Sequence, residues 1–137
     1  MNDLEVLAKT IYGEARGEGV SGMEAVACVV LNRVKIALNR GGKHWWGNDI
    51  KSVCLKKHQF SCWNEDDPNS RVLSKDLTGN SVYMLCETVA RRAIKGCIPD
   101  QTGCATHYHT RTVKPKWAEN QVPTAVIGHH LFYKLEE

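Results

Sequence analysis

The stretch "SGMEAVACVVLNRVKIALN", residues 21–39, constrains the fold more than any other part of the chain. Met23, Val26, Ala27, Val30, Leu31, Val34 and Leu38 recur at helical spacing. Cys28 and Val29 make its middle apolar nearly all round. A helix without a polar face must be covered on every side, so this one predicts a central helix with the remaining chain packed about it. Ser21 stands three residues before Glu24, the pattern of a capping box. The glycines of "RGGK", residues 40–43, end the helix.

One central helix suits one domain, and the chain of 137 residues is expected to form a single domain over 1–137. A chain of this length buries roughly two-thirds of its unfolded surface, enough for one core. Leu4, Leu7 and Ile11 mark a first helix. The middle, residues 44–80, is irregular, with a short helix near 47–54, an extended "HQFSCW" and a loop "NEDDPNS". Within it, Trp45 and Trp46 are adjacent and must point apart, one into the core and one outward. Another helix runs over about 80–95. Asn80 or Ser81 caps it, Tyr83, Cys86, Val89, Ala90, Ala93 and Ile94 face inward, and Gly96 stops it. The tail changes period. "CATHYHT" and "TAVIGHHLFYK" are rich in β-branched and aromatic residues and read as two paired strands. The expected class is α+β, mainly helical, with a small β-sheet.

Several function classes are disfavoured at once. The net charge of +3 is too small for a nucleic-acid footprint, so no nucleic acid is expected. No apolar run approaches the roughly 20 residues of a membrane span, so no membrane partner is expected either. "MNDLEVLAKT" lacks the apolar run of a signal peptide, which predicts synthesis in the cytoplasm. A monomer is the expectation. Cys28 and Cys86 read as core side chains. Cys54, Cys62, Cys97 and Cys104, with His58, His107 and His109, leave three readings open: zinc ligands, loop disulfides, or reduced thiols. No C-x2-C knuckle is present, so no metal or cofactor is expected.

The stretch "IYGEARGE", residues 11–18, carries the chemistry. The stripe of positions 4, 7 and 11 continues to 14 and then 18, which places Glu14 at the inner end of a buried face. Burial penalises a carboxylate's charge, and a glutamic acid that keeps its proton can act as a general acid. Glycosidic cleavage needs such a proton because the leaving alkoxide is poor. From spacing alone, three roles remain open for Glu14: catalysis, an ion pair with Arg16, or an inert exposed carboxylate. Glu18 is either inert or a partner of Arg16 or Glu14.

These blocks resemble the cell wall hydrolase family of the spore-cortex lytic enzyme (SleB) type. "YGEARGE" is followed by the G-x-x-A-V-x-x-V-x-x-N-R-V helix; then come "QFSCW" (59–63), "ATHYH" (105–109), "KPKWAEN" (114–120) and "AVIGHHLFY" (125–133), in order over nearly the whole chain. The resemblance implies a fold like goose-type lysozyme or a lytic transglycosylase. It also implies cleavage of peptidoglycan glycan strands and a catalytic role for Glu14. The chain departs from it at His129, where the family more often has Asn, and in its extra cysteines. SleB-type proteins often carry a wall-binding region and an export signal. Without them the chain looks more like a phage endolysin, acting on the cell wall after release.

A glycan cleft needs aromatic faces and polar edges. Gln59, Phe60, Ser61 and Trp63 offer that mixture in one piece, and His107, Tyr108 and His130 offer it from the late strands. Phe60, Trp63 and Phe132 fit core packing equally well. His107 and His130 fit buried, hydrogen-bonded imidazoles equally well. Glu18, Asp49, Glu65, Asp66 and Asp67 are the other carboxylates to weigh, and none matches Glu14. A single acid/base glutamate favours closure of the sugar's own 6-hydroxyl over hydrolysis. Two rival classes stand beside this: a non-catalytic wall- or metal-binding module, and a cysteine-dependent amidase or peptidase using Cys104 with His107 or His109.

Overall fold

The computed structural model describes residues 1–135. The helices are α1 (Asp3–Ala15), α2 (Gly19–Asn39), α3 (Ile50–Leu55), α4 (Pro68–Leu73) and α5 (Ser81–Ile94). The strands are β1 (His107–Thr110), β2 (Ala125–Ile127) and β3 (His130–Tyr133). Single 3-10 turns lie at Ser61–Trp63 and Lys116–Ala118. No helix among the described residues is long and apolar enough to cross a membrane.

Helix α2 is central, as its composition requires. Met23, Val26, Ala27, Val29 and Val30 are buried; α1, α3 and α5 pack on it, and α3 and α5 each pack on α1 as well. The helix starts two residues before Ser21, so the expected Ser21–Glu24 capping box does not form. Glu24 is drawn instead to Arg92 on α5, at 2.7 Å. Leu38 and Ile94, expected to face inward, are 62% and 43% exposed, because each lies in the last turn of its helix, past the layer that would cover it. Helix α5 is capped as expected, with Asn80 accepting from the Tyr83 N–H at 2.9 Å. Trp46 is fully buried and Trp45 is 44% exposed, the split that adjacency demands.

The middle differs most from expectation. The helix near 47–54 is α3, shifted to Ile50–Leu55 because Asp49 forms a capping box with Ser52. "HQFSCW" is not extended. His58 takes φ 66°, and the chain then closes a 3-10 turn with Trp63 N–H on the Phe60 carbonyl. Phe60 and Cys62 alternate into the core as strand residues would, but among the described residues no strand pairs with them. The "NEDDPNS" stretch is partly helical: Asp67 caps α4 and Pro68 occupies its first turn.

The tail holds three strands rather than two, in the antiparallel order β1-β3-β2. The second apolar run breaks at Gly128, with φ 58°, and folds back as a tight hairpin pairing Ile127 with His130. Two polar residues of α2 fix the approach to β1. Asn32 donates to the Ala105 carbonyl at 2.9 Å, and the Arg33 Nε–H donates to the Thr106 carbonyl at 2.7 Å. They set the position of His107 and Tyr108.

Candidate active site

Glu14 lies in the last turn of α1, half-buried. Two elements distant in sequence hold its carboxylate. The Cys62 N–H, from the 3-10 turn, donates to Oε2 at 3.1 Å. The Tyr108 hydroxyl, from β1, donates to Oε1. Gly13 permits this approach. A Cβ there would stand 2.5 Å from Cys62 Cβ. Burial, and then the Glu14 charge, hold the Tyr108 phenol well above its usual range, so it stays a donor. The same causes push the Cys62 thiol up and keep it a neutral core side chain.

Two cavities meet at this carboxylate. The larger, about 640 Å³, contains Gln59, Phe60, Ser61, His107, Tyr108 and His130 among its lining residues. The smaller, about 380 Å³, runs past Arg16, Gly17 and Glu18 to His129 and His130. Gly13, Glu14, Asn69, Thr110 and His130 border both. Glu14 thus sits partway along a cleft rather than at its closed end.

Of the residues expected at the site, one is elsewhere. Trp63 lines neither cavity; its indole N–H donates to Thr10 Oγ1 at 2.9 Å, packing the turn onto α1. Arg16 does not take up the expected pairing with Glu14 or Glu18. Its guanidinium lies over the Tyr12 ring and donates to Asn69 Oδ1 at 2.7 Å. Glu18 pairs with neither Arg16 nor Glu14. It accepts from the His129 N–H and meets His129 Nδ1, both at 2.8 Å, with His130 Nδ1 3.3 Å away. Burial opposes the Glu18 charge, but these hydrogen bonds and nearby imidazoles outweigh it and hold its carboxyl below the ordinary value.

The other carboxylates have structural roles or lie in solvent. Asp49 caps α3 and Asp67 caps α4, while Glu65 and Asp66 are exposed. His107 and His130 are buried where they line the cleft: His107 Nδ1 meets Thr106 Oγ1 at 2.9 Å, as expected of a hydrogen-bonded imidazole, whereas His130 Nδ1 has no hydrogen-bond partner among the described residues and stands 3.3 Å from Glu18 Oε1. Burial lowers both imidazoles, His107 to about 4 with the Arg33 charge adding to it.

Several lining residues were not anticipated: Trp45, His58, Asn69, His109, Val113 and Trp117. Arg33 also lines the cleft, donating to Gln59 Oε1 at 3.1 Å, with Phe60 and Trp46 rings against its guanidinium. An arginine inside so apolar a helix was itself the available clue. Cys54 and Cys62 are buried, whereas Cys97 and Cys104 are exposed, and all six thiols are free. Among the described residues no group of three His, Cys, Asp or Glu side chains could hold a metal ion. No cysteine lines either cavity at Glu14; Cys104 belongs to a turn whose N–H donates to Asp100.

Comparison with known proteins agrees with this architecture. The chain is 29% identical to a spore cortex-lytic enzyme of Bacillus cereus over 97% of its length, and 28% identical to that of Bacillus subtilis over 96%. It spans less than half of these relatives, 44% and 37% respectively. Among solved structures it superposes on the catalytic domain of a germination-specific lytic transglycosylase, SleB of Bacillus anthracis. The TM-score is 0.72 at 30% identity, covering 98% of this chain and 95% of that one. The Bacillus cereus SleB catalytic domain gives 0.71 at 28% identity, covering 96% and 89%. The fold is that lysozyme-like arrangement of helices over a small antiparallel sheet. The cell wall hydrolase profile matches residues 17–133, opening just after Glu14. With most of its length so matched, the chain belongs to the cell wall hydrolase family.

Proposed function

We propose that the chain cleaves peptidoglycan glycan strands between N-acetylmuramic acid and N-acetylglucosamine, as a lytic transglycosylase with Glu14 as the general acid and base. The observation carrying this is the Glu14 carboxyl itself, oriented by the Cys62 N–H and the Tyr108 hydroxyl where two cavities join. A polymer lying along the cleft would have a sugar on each side of it.

In this reading protonated Glu14 gives its proton to the glycosidic oxygen. The bond from that oxygen to the muramic C1 breaks, and the N-acetylglucosamine side leaves with a free 4-hydroxyl. Positive charge develops at C1. The ring's own 6-hydroxyl then attacks C1, its proton passes to the Glu14 carboxylate, and a 1,6-anhydro ring closes. Tyr108 and Cys62 stabilise the carboxylate formed between these two transfers. No second carboxylate lines the larger cavity, and Glu18, in the smaller one, is engaged by His129 and His130. That supports the intramolecular ending over hydrolysis. The lytic transglycosylase named among its structural neighbours supports it too.

Glu14→Gln is expected to abolish turbidity loss on purified sacculi while leaving the circular dichroism spectrum and melting temperature near those of the unaltered chain. Mass spectrometry of the digest distinguishes the chemistries. Anhydro-muropeptides are expected; reducing muramic ends would mean hydrolysis, and cut stem peptides would refute glycan cleavage.

A further inference from the structure

Besides Glu14, the larger cavity is lined by aromatic residues that the acid/base chemistry leaves unused. Trp45 lines it from the loop after α2, 44% exposed. Val113, 50% exposed, and Trp117 line it from the segment between β1 and β2. Neither tryptophan is loosely placed. Trp45 is chained to Trp46, which is fully buried, donates its indole N–H to the Arg33 carbonyl at 3.0 Å and has its ring centroid 5.6 Å from that of Trp45. Gly47 follows at φ 107°, where a Cβ would stand 2.7 Å from Ser52 Oγ, so the loop is packed down on α3. The Trp117 ring is wedged edge-on against Tyr133 at 5.3 Å and lies 5.2 Å from His107.

A large apolar ring kept in solvent, anchored by a buried neighbour and facing a polar cleft, suits the flat face of a pyranose. The C–H groups of the sugar pack on the aromatic face, and nearby amides and imidazoles meet its hydroxyl and acetamide edges. Gln59, His58 and His107 line the same cavity, with His107 5.2 Å from the Trp117 ring. The flanking charges agree with a substrate whose stem peptides bear carboxylates: Lys43, Lys56, Lys57, Arg111, Lys114 and Lys116 are all exposed and lie within three residues of Trp45, His58, Val113 or Trp117.

We infer that the tryptophan-lined part of the cleft is a sugar subsite, in which Trp45 carries an N-acetylhexosamine ring of the glycan remote from the bond that breaks. The inference rests on the glycan-cleavage reading above and adds to it where the strand is gripped.

The test uses full-length chains in the Glu14→Gln background, with purified glycan strands stripped of stem peptides as the probe, followed by titration calorimetry and tryptophan emission. Trp45→Ala is expected to raise Kd about tenfold. Trp45→Phe is expected to recover most of that loss, because it keeps an aromatic face. With Glu14 intact, the Trp45→Ala defect falls on KM rather than kcat. Trp45 is exposed, so circular dichroism should be unaltered, with Trp46 left to hold the loop. If strands bind and Trp45→Ala matches its parent in Kd and KM, the subsite is overturned and cleavage at Glu14 stands. If strands neither bind the Glu14→Gln protein nor are cut by the unaltered chain, the glycan reading falls and the subsite falls with it.

Discussion

Tyr108 and His107, neighbours on β1, show how burial assigns different duties to adjacent side chains. The Tyr108 hydroxyl is kept protonated and donates to Glu14. Tyr108→Phe removes a hydrogen bond to a charged acceptor, worth about 1.5–3 kcal/mol, so kcat on glycan strands should fall about 10- to 100-fold with little change in KM. His107 is held neutral. Its imidazole takes a proton near 6.5 when unfolded but only near 4 when folded. Between those values the unfolded chain binds more protons, so acid favours unfolding. The stability tied to this group is complete above pH 6.5 and is lost as the pH falls toward 4, on the order of 3 kcal/mol. Urea unfolding at pH 7 and pH 4.5 should show that loss, and His107→Gln should flatten it. The sequence exposed Glu14 because it broke an apolar stripe. It could not expose Trp63, because an indole bonded to Thr10 within the fold and one stacked on a sugar look alike as letters.

At the scale of elements, the long helices and, to within a few residues, α3 were legible, whereas α4 and the Ser61–Trp63 turn were not. α1, α2 and α5 announce themselves by periodicity, since each buries one face or more of several turns. The Ser61–Trp63 turn and α4 are too short for a period to register, and tertiary contacts hold them. The β2–β3 hairpin hid inside one apolar run, with Gly128 as its sole punctuation. Yet the 3-10 turn is the element that supplies the Cys62 N–H to Glu14. Its seat on α1 depends on Gly13, where an added Cβ would meet Cys62 Cβ at 2.5 Å and Sγ at 2.8 Å. Gly13→Ala must therefore push the turn away. Overpacking of this sort costs about 1–3 kcal/mol. The melting temperature should drop and sacculus clearing should fall further than the stability loss explains, because the displaced N–H no longer meets the carboxylate. Clearing that tracked stability alone would show that this donor is dispensable.

On the scale of the whole molecule, the cleft exists because the late sheet is tied to the first two helices at two places besides the Tyr108–Glu14 bond. One tie is Asn32 and Arg33 holding the strand into β1. The other is Glu18, in the α1–α2 link, gripping the hairpin turn through His129 and approaching His130. Sequence alone hinted at the first by two polar residues in an apolar helix, but the second joins positions 111 residues apart that nothing local connects. The Glu18 side chain is only 11% exposed, but its His129 partner is 80% exposed, so solvent screens the ion pair from one side and the His129 N–H bond is the firmer part of the tie. Glu18→Ala should cost about 1–3 kcal/mol and speed hydrogen exchange of the β2–β3 amides. It should also raise KM, because Glu18, His129 and His130 wall the smaller cavity. Glu18→Gln keeps an oxygen for the His129 N–H and should lose much less. Because the Glu18 carboxyl is held below its ordinary value of 4.5, its contribution is whole above that pH and is lost only as the pH falls through the lowered value. That window lies below most of the one set by His107, so the two losses can be separated by acid titration. Unchanged hairpin exchange in Glu18→Ala would mean that the sheet is held by α2 and its own packing, with the Glu18 contact only incidental to the cleft.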